Sequence, residues 1–524
     1  MAEVVAGLYA VETVVEGAAM GALAVSGSTV PLHAYYQKIK SPSSRLAISG
    51  STSCIIKNKI YLVGGDSPAS QGEHGLQVLS LPPNFGSSRT DAGQPVDVDY
   101  ELQKPKLELE RRPLQAETEH LERTTSKEQS HLSSWSRIKH ASTSIEDKIY
   151  VLGGFSDGSP SSRSSNSDNI NPLDTILVYD SLRSNYTILS ADPAKCTEGI
   201  PEPRYSLSCT GSPYPPPMSV ADGQGPSLDI HGTIFLHGGY DVSGHPLHDT
   251  WTFDISTRAW HKFPTIVEEA VRDSSVPGRI AYVEHRLWYV NGPTVMHLDL
   301  AEHDPEQNDA ASQDAATLST GRVGSGQWQV VYPPAQQDLA VLEATEASGS
   351  EKRQASANSS QREPTGPLEH AVPITTGAGR TYLLTFSNTN PQAMHLFQIA
   401  SSAKTAASVK DIVRDKASEN ISKLPDNWKS GKHEWSKVEI VQNSMEGGET
   451  EKPDEALADF AVAGFEEYGD RLMIWGGQLV DGETKNEGWI VGLDAEGYWE
   501  QTKKAIGNKR QQMKSNPPVE GAET

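Results

Sequence analysis

The chain has 524 residues, a formal net charge of −23 and 36% hydrophobic residues. The length exceeds one ordinary domain, and the acidity argues against a protein built to grip nucleic acid or an anionic membrane, since both need a basic face. The 44 glycines and 33 prolines point to a turn-rich β core diluted by polar inserts, and three cysteines (Cys54, Cys196, Cys209) form no disulfide framework.

Residues 1–30 read as a lead-in. Val4, Leu8, Val11 and Val15 share one helical face, which predicts a helix over Val4–Met20 packed on the body of the protein. Glu3, Glu12 and Glu16 interrupt the apolar run and no Lys or Arg precedes Lys38, so the stretch lacks the pattern of a secretory signal. No run of 18 apolar residues exists to span a membrane. The expected location is the cytoplasm, with the nucleus as a second compartment.

From residue 31 to 493 the chain repeats. His33–Ile39 alternates like a strand. Ile60-Tyr61-Leu62-Val63-Gly64-Gly65 follows, and its pattern returns as Lys148–Gly154, Ile234–Gly239 and Leu472–Gly477. Leu287–Gly292 and Tyr382–Ser387 are weaker copies. Four apolar residues read as a short buried strand, and the double glycine stops it. From Gly239 to Gly292 is 53 residues, close to a four-stranded propeller blade of about 50. Longer intervals, such as the 89 residues from Gly65 to Gly154, are lengthened by inserts.

Four inserts stand out, at 83–130, 301–326, 334–366 and 401–433. Their charged or Ser/Ala/Gln/Glu-rich composition predicts disorder, with helical signals at Leu114–Gln129 and around Val409, Ile412 and Val413. Residues 494–524 are a polar tail.

A second repeat checks the count. An aromatic residue is followed three positions later by an apolar one at Trp135/Ile138, Tyr186/Leu189, Trp260/Phe263, Trp328/Val331 and Trp435/Val438. Each pair would close one unit. The last glycine strand has no such pair after it, and Tyr36/Ile39 at the other end of the chain is the spare. The expected fold is all-β: a single six-bladed propeller over residues 31–493, closed by its N-terminal strand.

These residues resemble the kelch family. The matching elements are the apolar-Gly-Gly strand, the Asp254–Trp260 and Asp180–Tyr186 hairpins, and Pro203-Arg204 opening a unit. The layout is also similar to fungal kelch-repeat proteins of the galactose oxidase/kelch superfamily, through Gly7-Leu8-Tyr9-Ala10 and Gly488-Trp489-Ile490. The resemblance implies a propeller and leaves function open, because propellers host many functions.

Catalytic signals are sparse. Galactose oxidase chemistry, implied by the superfamily, needs a Tyr–Cys crosslink with Tyr and His copper ligands, and no such set can be placed. Iron-binding plant kelch proteins use Glu-x3-Asp-x3-His; Glu269/Asp273, Glu455/Asp459 and Glu466/Asp470 continue to Pro277, Ala463 and Ile474 instead. His231, His245 and His248 bracket one glycine strand and read as loop residues before they read as a metal site. His237 reads as a core histidine. No phosphate loop or nucleophile elbow occurs.

The expected function is therefore a non-catalytic protein-interaction platform, monomeric, without cofactor, and with a protein partner the sequence does not identify. The alternative is an enzyme or a small-ligand or metal binder using the axial pocket. The loops after the glycine strands must share one rim, and their residues Asp66, Phe155, Asp157, Tyr240, Asp241 and Gln478 are the candidate partner contacts.

Overall fold

The computed structural model describes residues 32–67, 76–83, 85, 95–107, 137–156, 173–215, 231–266, 274–300, 327–332, 363–364, 366–376, 380–387, 389–399, 433–441, 452–466 and 469–494. The expected helix over 4–20, the insert at 301–326, the insert at 401–433 apart from residue 433, and the tail at 494–524 apart from residue 494 lie outside them. So does the insert at 334–366, apart from residues 363, 364 and 366.

Six antiparallel sheets of at least four strands form six blades. From the axis outward, blade 1 is Thr52–Ile56, Lys59–Val63, Leu76–Ser80 and Asp99–Gln103; blade 2 is Ala141–Ile145, Lys148–Leu152, Thr175–Asp180 and Asn185–Ser190. Blade 3 is Ser208–Ser212, Thr233–His237, Thr250–Asp254 and Ala259–Lys262. Blade 4 is Arg279–Val283, Arg286–Asn291, Thr294–Asp299 and Gln329–Tyr332, and blade 5 is Leu368–Thr375, Thr381–Ser387, Asn390–Ile399 and Trp435–Lys437. Blade 6 is Ala461–Gly464, Arg471–Trp475 and Gly488–Asp494, completed by His33–Ile39. Each innermost strand packs on the next, and blade 6 packs on blade 1, so the ring closes.

Closure follows the expected route. His33–Ile39 runs antiparallel to Gly488–Asp494 in an unbroken register from His33 opposite Asp494 to Ile39 opposite Gly488. Two short parallel strands extend the outer edges: Lys106–Leu107 on blade 2 and Glu439–Ile440 on blade 6.

The core is split into six clusters, each between neighbouring blades. Side chains alternate across a strand, so Ile149 and Val151 pack toward blade 1 while Tyr150 and Leu152 pack toward blade 3. Both faces of a second strand are buried, which is why it reads as a continuous apolar run rather than an alternating one. Burying each such side chain contributes about 1.5–3 kcal/mol.

The aromatic repeat has a structural cause. The indole N–H of Trp260 donates to the Leu173 carbonyl of blade 2 at 3.0 Å. Trp328 donates to Pro264 O (3.0 Å) and Trp435 to Pro293 O (2.8 Å). Tyr36 donates through its hydroxyl to Pro391 O at 3.3 Å. Each of these rings pins an outer strand to the preceding blade around the propeller.

Blade 1 corrects the sequence reading. Its outer strand is Asp99–Gln103, inside the stretch expected to be a disordered insert, and not the Trp135/Ile138 segment. Tyr100 faces Leu79, which faces Ile60; the same chain of partners runs Trp260–Phe253–Ile234 in blade 3. Tyr100 thus holds the closing position. It escaped notice because Gln103, not an apolar residue, stands three positions on, and because an edge strand tolerates charge. Arg137–Ile138 instead pairs with Phe155–Ser156 as a small ribbon between blades.

Candidate functional site: the double-glycine face

The glycine pairs are spacers for the joint between blades. Gly64 sits at φ +61°, and a Cβ there would lie 2.2 Å from the Arg137 carbonyl oxygen on the strap entering blade 2. Gly65, at φ +88°, would carry its Cβ 2.8 Å from Ser51 on the strap of its own blade. Only glycine permits both the left-handed backbone and the approach. The Gly65 N–H then reaches Arg137 O at 2.7 Å. Gly154 N repeats this with Arg204 O (3.0 Å), and Gly477 N with Ile48 O (2.9 Å).

One step deeper, the straps hold each other. Gly50 N donates to Asp459 O (2.9 Å), Lys139 N to Gly50 O (3.0 Å) and Ser206 N to Lys139 O (2.7 Å). All four residues are left-handed, with φ from +51° to +63°. This chain links blades 6, 1, 2 and 3. Side chains complete the circuit: Arg279 donates through Nη1 to Ser206 O and through Nε to Leu368 O, both at 3.1 Å. His370 Nε2 lies 2.7 Å from Phe460 O.

Inside the ring runs an axial cavity of about 690 Å³, lined by the innermost strands of all six blades. Its wall carries hydroxyls and two thiols, Cys54 and Cys209, both free. Burial pushes the Cys54 thiol up to about 12 and raises Cys209 as well, so neither is a ready nucleophile. Among the described residues no three or more His, Cys, Asp or Glu side chains converge as metal ligands.

The mouth on the double-glycine side is ionic. Lys139 pairs with Asp459 at 3.2 Å. Glu369 stands beside this pair and Arg279; burial raises its carboxyl above the usual range, with Asp459 adding to the effect and Arg279 and Lys139 opposing it. Above the mouth, Tyr205 packs tilted against Phe155 at 4.5 Å and stacks with Tyr240 at 5.6 Å between ring centroids. Tyr205 and Tyr240 also exchange backbone hydrogen bonds of 3.1 and 2.9 Å. All three rings are half-buried.

Of the six rim residues named from sequence, Phe155 and Tyr240 meet here, through Tyr205. Asp241 accepts the backbone N–H groups of Ser243 and His245, each at 2.8 Å, and so shapes its own turn. Gln478 donates to Gly482 O at 3.0 Å in the corresponding turn of blade 6. Asp66 is exposed and exchanges backbone hydrogen bonds with Ser49, and Asp157 lies outside the described residues. His231 and His245 sit at opposite ends of the second strand of blade 3, His231 beside Glu146 and His245 beside Asp241. Tyr205, Arg279 and Glu369 were missed. Tyr205 directly follows the Pro203-Arg204 opening and was the one within reach of motif reading.

No family model matches the chain, and no curated protein does. Among solved structures, the one titled "Structure of YjhT" matches at 10% identity and a TM-score of 0.38, covering 85% of this chain and 97% of that one. Among the described residues no helix is long and apolar enough to cross a membrane.

Proposed function

We propose that this is a kelch-type propeller acting as a protein-interaction platform, with the double-glycine face as its docking surface. The Phe155–Tyr205–Tyr240 ring cluster carries the reading. Three half-buried rings at the lip of an axial cavity supply the rigid aromatic area that interfaces use as anchors. Around them, Val242 and Val480 occupy the same position in the turns of blades 3 and 6 and are 52% and 91% exposed. Two apolar tips on opposite blades extend the contact area across the mouth.

The test is an affinity capture with the wild-type chain and with the Phe155→Ala/Tyr240→Ala double variant, each checked for an unchanged melting temperature. Captured proteins should be lost from the variant. A partner set that survives the double substitution refutes this face as the docking surface.

A further inference from the structure

Glu369 is a bulged residue. Leu368 faces Ser387 and His370 faces Phe386, so two steps on the innermost strand of blade 5 match one on its neighbour. Bulges re-aim a side chain out of the regular alternation. Here the bulge sets a carboxylate at the mouth of the axial cavity.

That carboxylate is unanswered. Among the described residues it has no hydrogen-bond donor and no cation within ion-pair distance, although two cations stand close by. Lys139 is committed to Asp459, and Arg279 directs two of its nitrogens to the Ser206 and Leu368 carbonyls. Its oxygens keep open acceptor sites at the mouth of the cavity. Tyr205 directly precedes Ser206, whose carbonyl accepts from Arg279 Nη1, and the same guanidinium donates through Nε to the carbonyl of Leu368, the neighbour of Glu369, so the aromatic group and the free acceptor flank one arginine at the mouth.

We propose that this pocket receives a basic side chain, arginine above all, from a partner polypeptide, with Glu369 as its counter-ion and the Tyr205–Tyr240 rings as its stacking wall. This deepens the platform reading and rests on it. A planar guanidinium satisfies both features at once: it donates in a fork to a carboxylate and stacks on a ring face. The charge of −23 draws a basic segment toward the surface before it docks.

The experiment pans a phage-displayed random dodecapeptide library against the full chain. Selected sequences are then measured by fluorescence anisotropy on wild type, Glu369→Gln, Tyr240→Phe and Tyr240→Ala. Selected peptides should share an Arg or Lys at one fixed position, and replacing it with Gln should weaken binding at least about tenfold. Glu369→Gln should produce a similar loss without lowering the melting temperature, since it removes only an unpaired charge. Tyr240→Phe should bind as wild type, and Tyr240→Ala should not.

Peptides that lack a shared basic residue, or that bind Glu369→Gln unchanged, overturn the proposal. If such peptides still depend on Tyr240, the platform reading stands without it. Peptides indifferent to Tyr240→Ala, or a library that yields none, overturn both.

Discussion

Arg279 Nη1 lies 3.1 Å from the carbonyl oxygen of Ser206. That bond joins blade 4 to blade 3 where a backbone amide makes the corresponding link between blades 6, 1, 2 and 3. The Nε bond to Leu368 carries the connection on to blade 5. One side chain therefore replaces two backbone links of the inner ring.

Replacing Arg279 should loosen the ring at both joints. A hydrogen bond from a charged donor contributes about 1.5–3 kcal/mol, so Arg279→Ala should cost about 3–5 kcal/mol. Arg279→Lys, with a single ammonium, can reach one carbonyl and should recover part of the loss. Urea unfolding of the three proteins checks this; equal midpoints for wild type and Arg279→Ala would show the bridge to be idle.

A second polar element stands between the segment entering blade 3 and the third strand of that blade. Arg204 is 1% exposed; its guanidinium binds Asp249 at 2.5 and 3.1 Å and Gly238 O at 3.1 Å. Trp251 donates to Asp249 at 2.6 Å. Burial pushes the Asp249 carboxyl up, but the hydrogen bonds and charge of Arg204, with the Trp251 bond, outweigh it and hold it below the usual range. Stability from this pair is present above the ordinary Asp range and is lost as pH falls through the lower folded value. Arg204→Met should cost about 3–5 kcal/mol at neutral pH by stranding Asp249. Arg204→Met/Asp249→Leu should recover much of it. The comparison of the two by chemical denaturation tests the pairing.

Two buried histidines set a different acid limit. Burial, with the charge of Arg137, lowers His140 to about 3; burial first, and nearby cations next, lower His237 to about 3 against the opposing pull of Asp249. Unfolded, each takes a proton near pH 6.5. The folded state is therefore favoured above that value and loses stability as pH falls below it, by about 1.4 kcal/mol per pH unit for each ring. His140→Gln and His237→Gln should each flatten the decline between pH 6.5 and 4. Unfolding free energies measured across that range would show a parallel slope if the rings play no part.

The closing strand is open to a complementation test. A chain lacking residues 1–40 leaves Gly488–Asp494 without its outer neighbour and removes Tyr36 from the blade 5–6 cluster. Its melting temperature should fall, and a synthetic peptide spanning residues 32–40 should restore it in a dose-dependent way. A peptide with Tyr36→Ala, which lacks the ring and its bond to Pro391 O, should not.

What could be read from sequence followed what physics makes periodic. Second strands such as Lys148–Leu152 are buried on both faces in every blade, and in blades 1, 2 and 6 the first glycine after them meets the carbonyl of a neighbouring strap, so both recur as plain text. Four of the closing aromatics, Tyr36, Trp260, Trp328 and Trp435, reach a backbone carbonyl of the preceding blade, which favours a ring with a donor at that position. The other residues of an outer strand are under no such demand. Asp99–Gln103 has one edge in solvent, its composition is that of a loop, and only Tyr100 betrays it. The candidate site was half legible for a similar reason. Phe155 and Tyr240 follow their glycines at a fixed offset, whereas Glu369 is placed by a bulge and Arg279 by a gap in the backbone ring, both local departures from the repeat.

The join between His33–Ile39 and Gly488–Asp494 also orders events during synthesis. Lys38 and its partner Glu487 lie 449 residues apart in the chain. At about 5–20 residues per second, the first strand leaves the ribosome roughly 20–90 s before its partner exists. Throughout that interval Tyr36 and Ile39 have no blade to enter, and the strand presents two bare edges. Blades 1 to 5 can form vectorially as they emerge; blade 6 cannot. Whatever shields the nascent strand during that wait governs how much newly made chain becomes a closed ring.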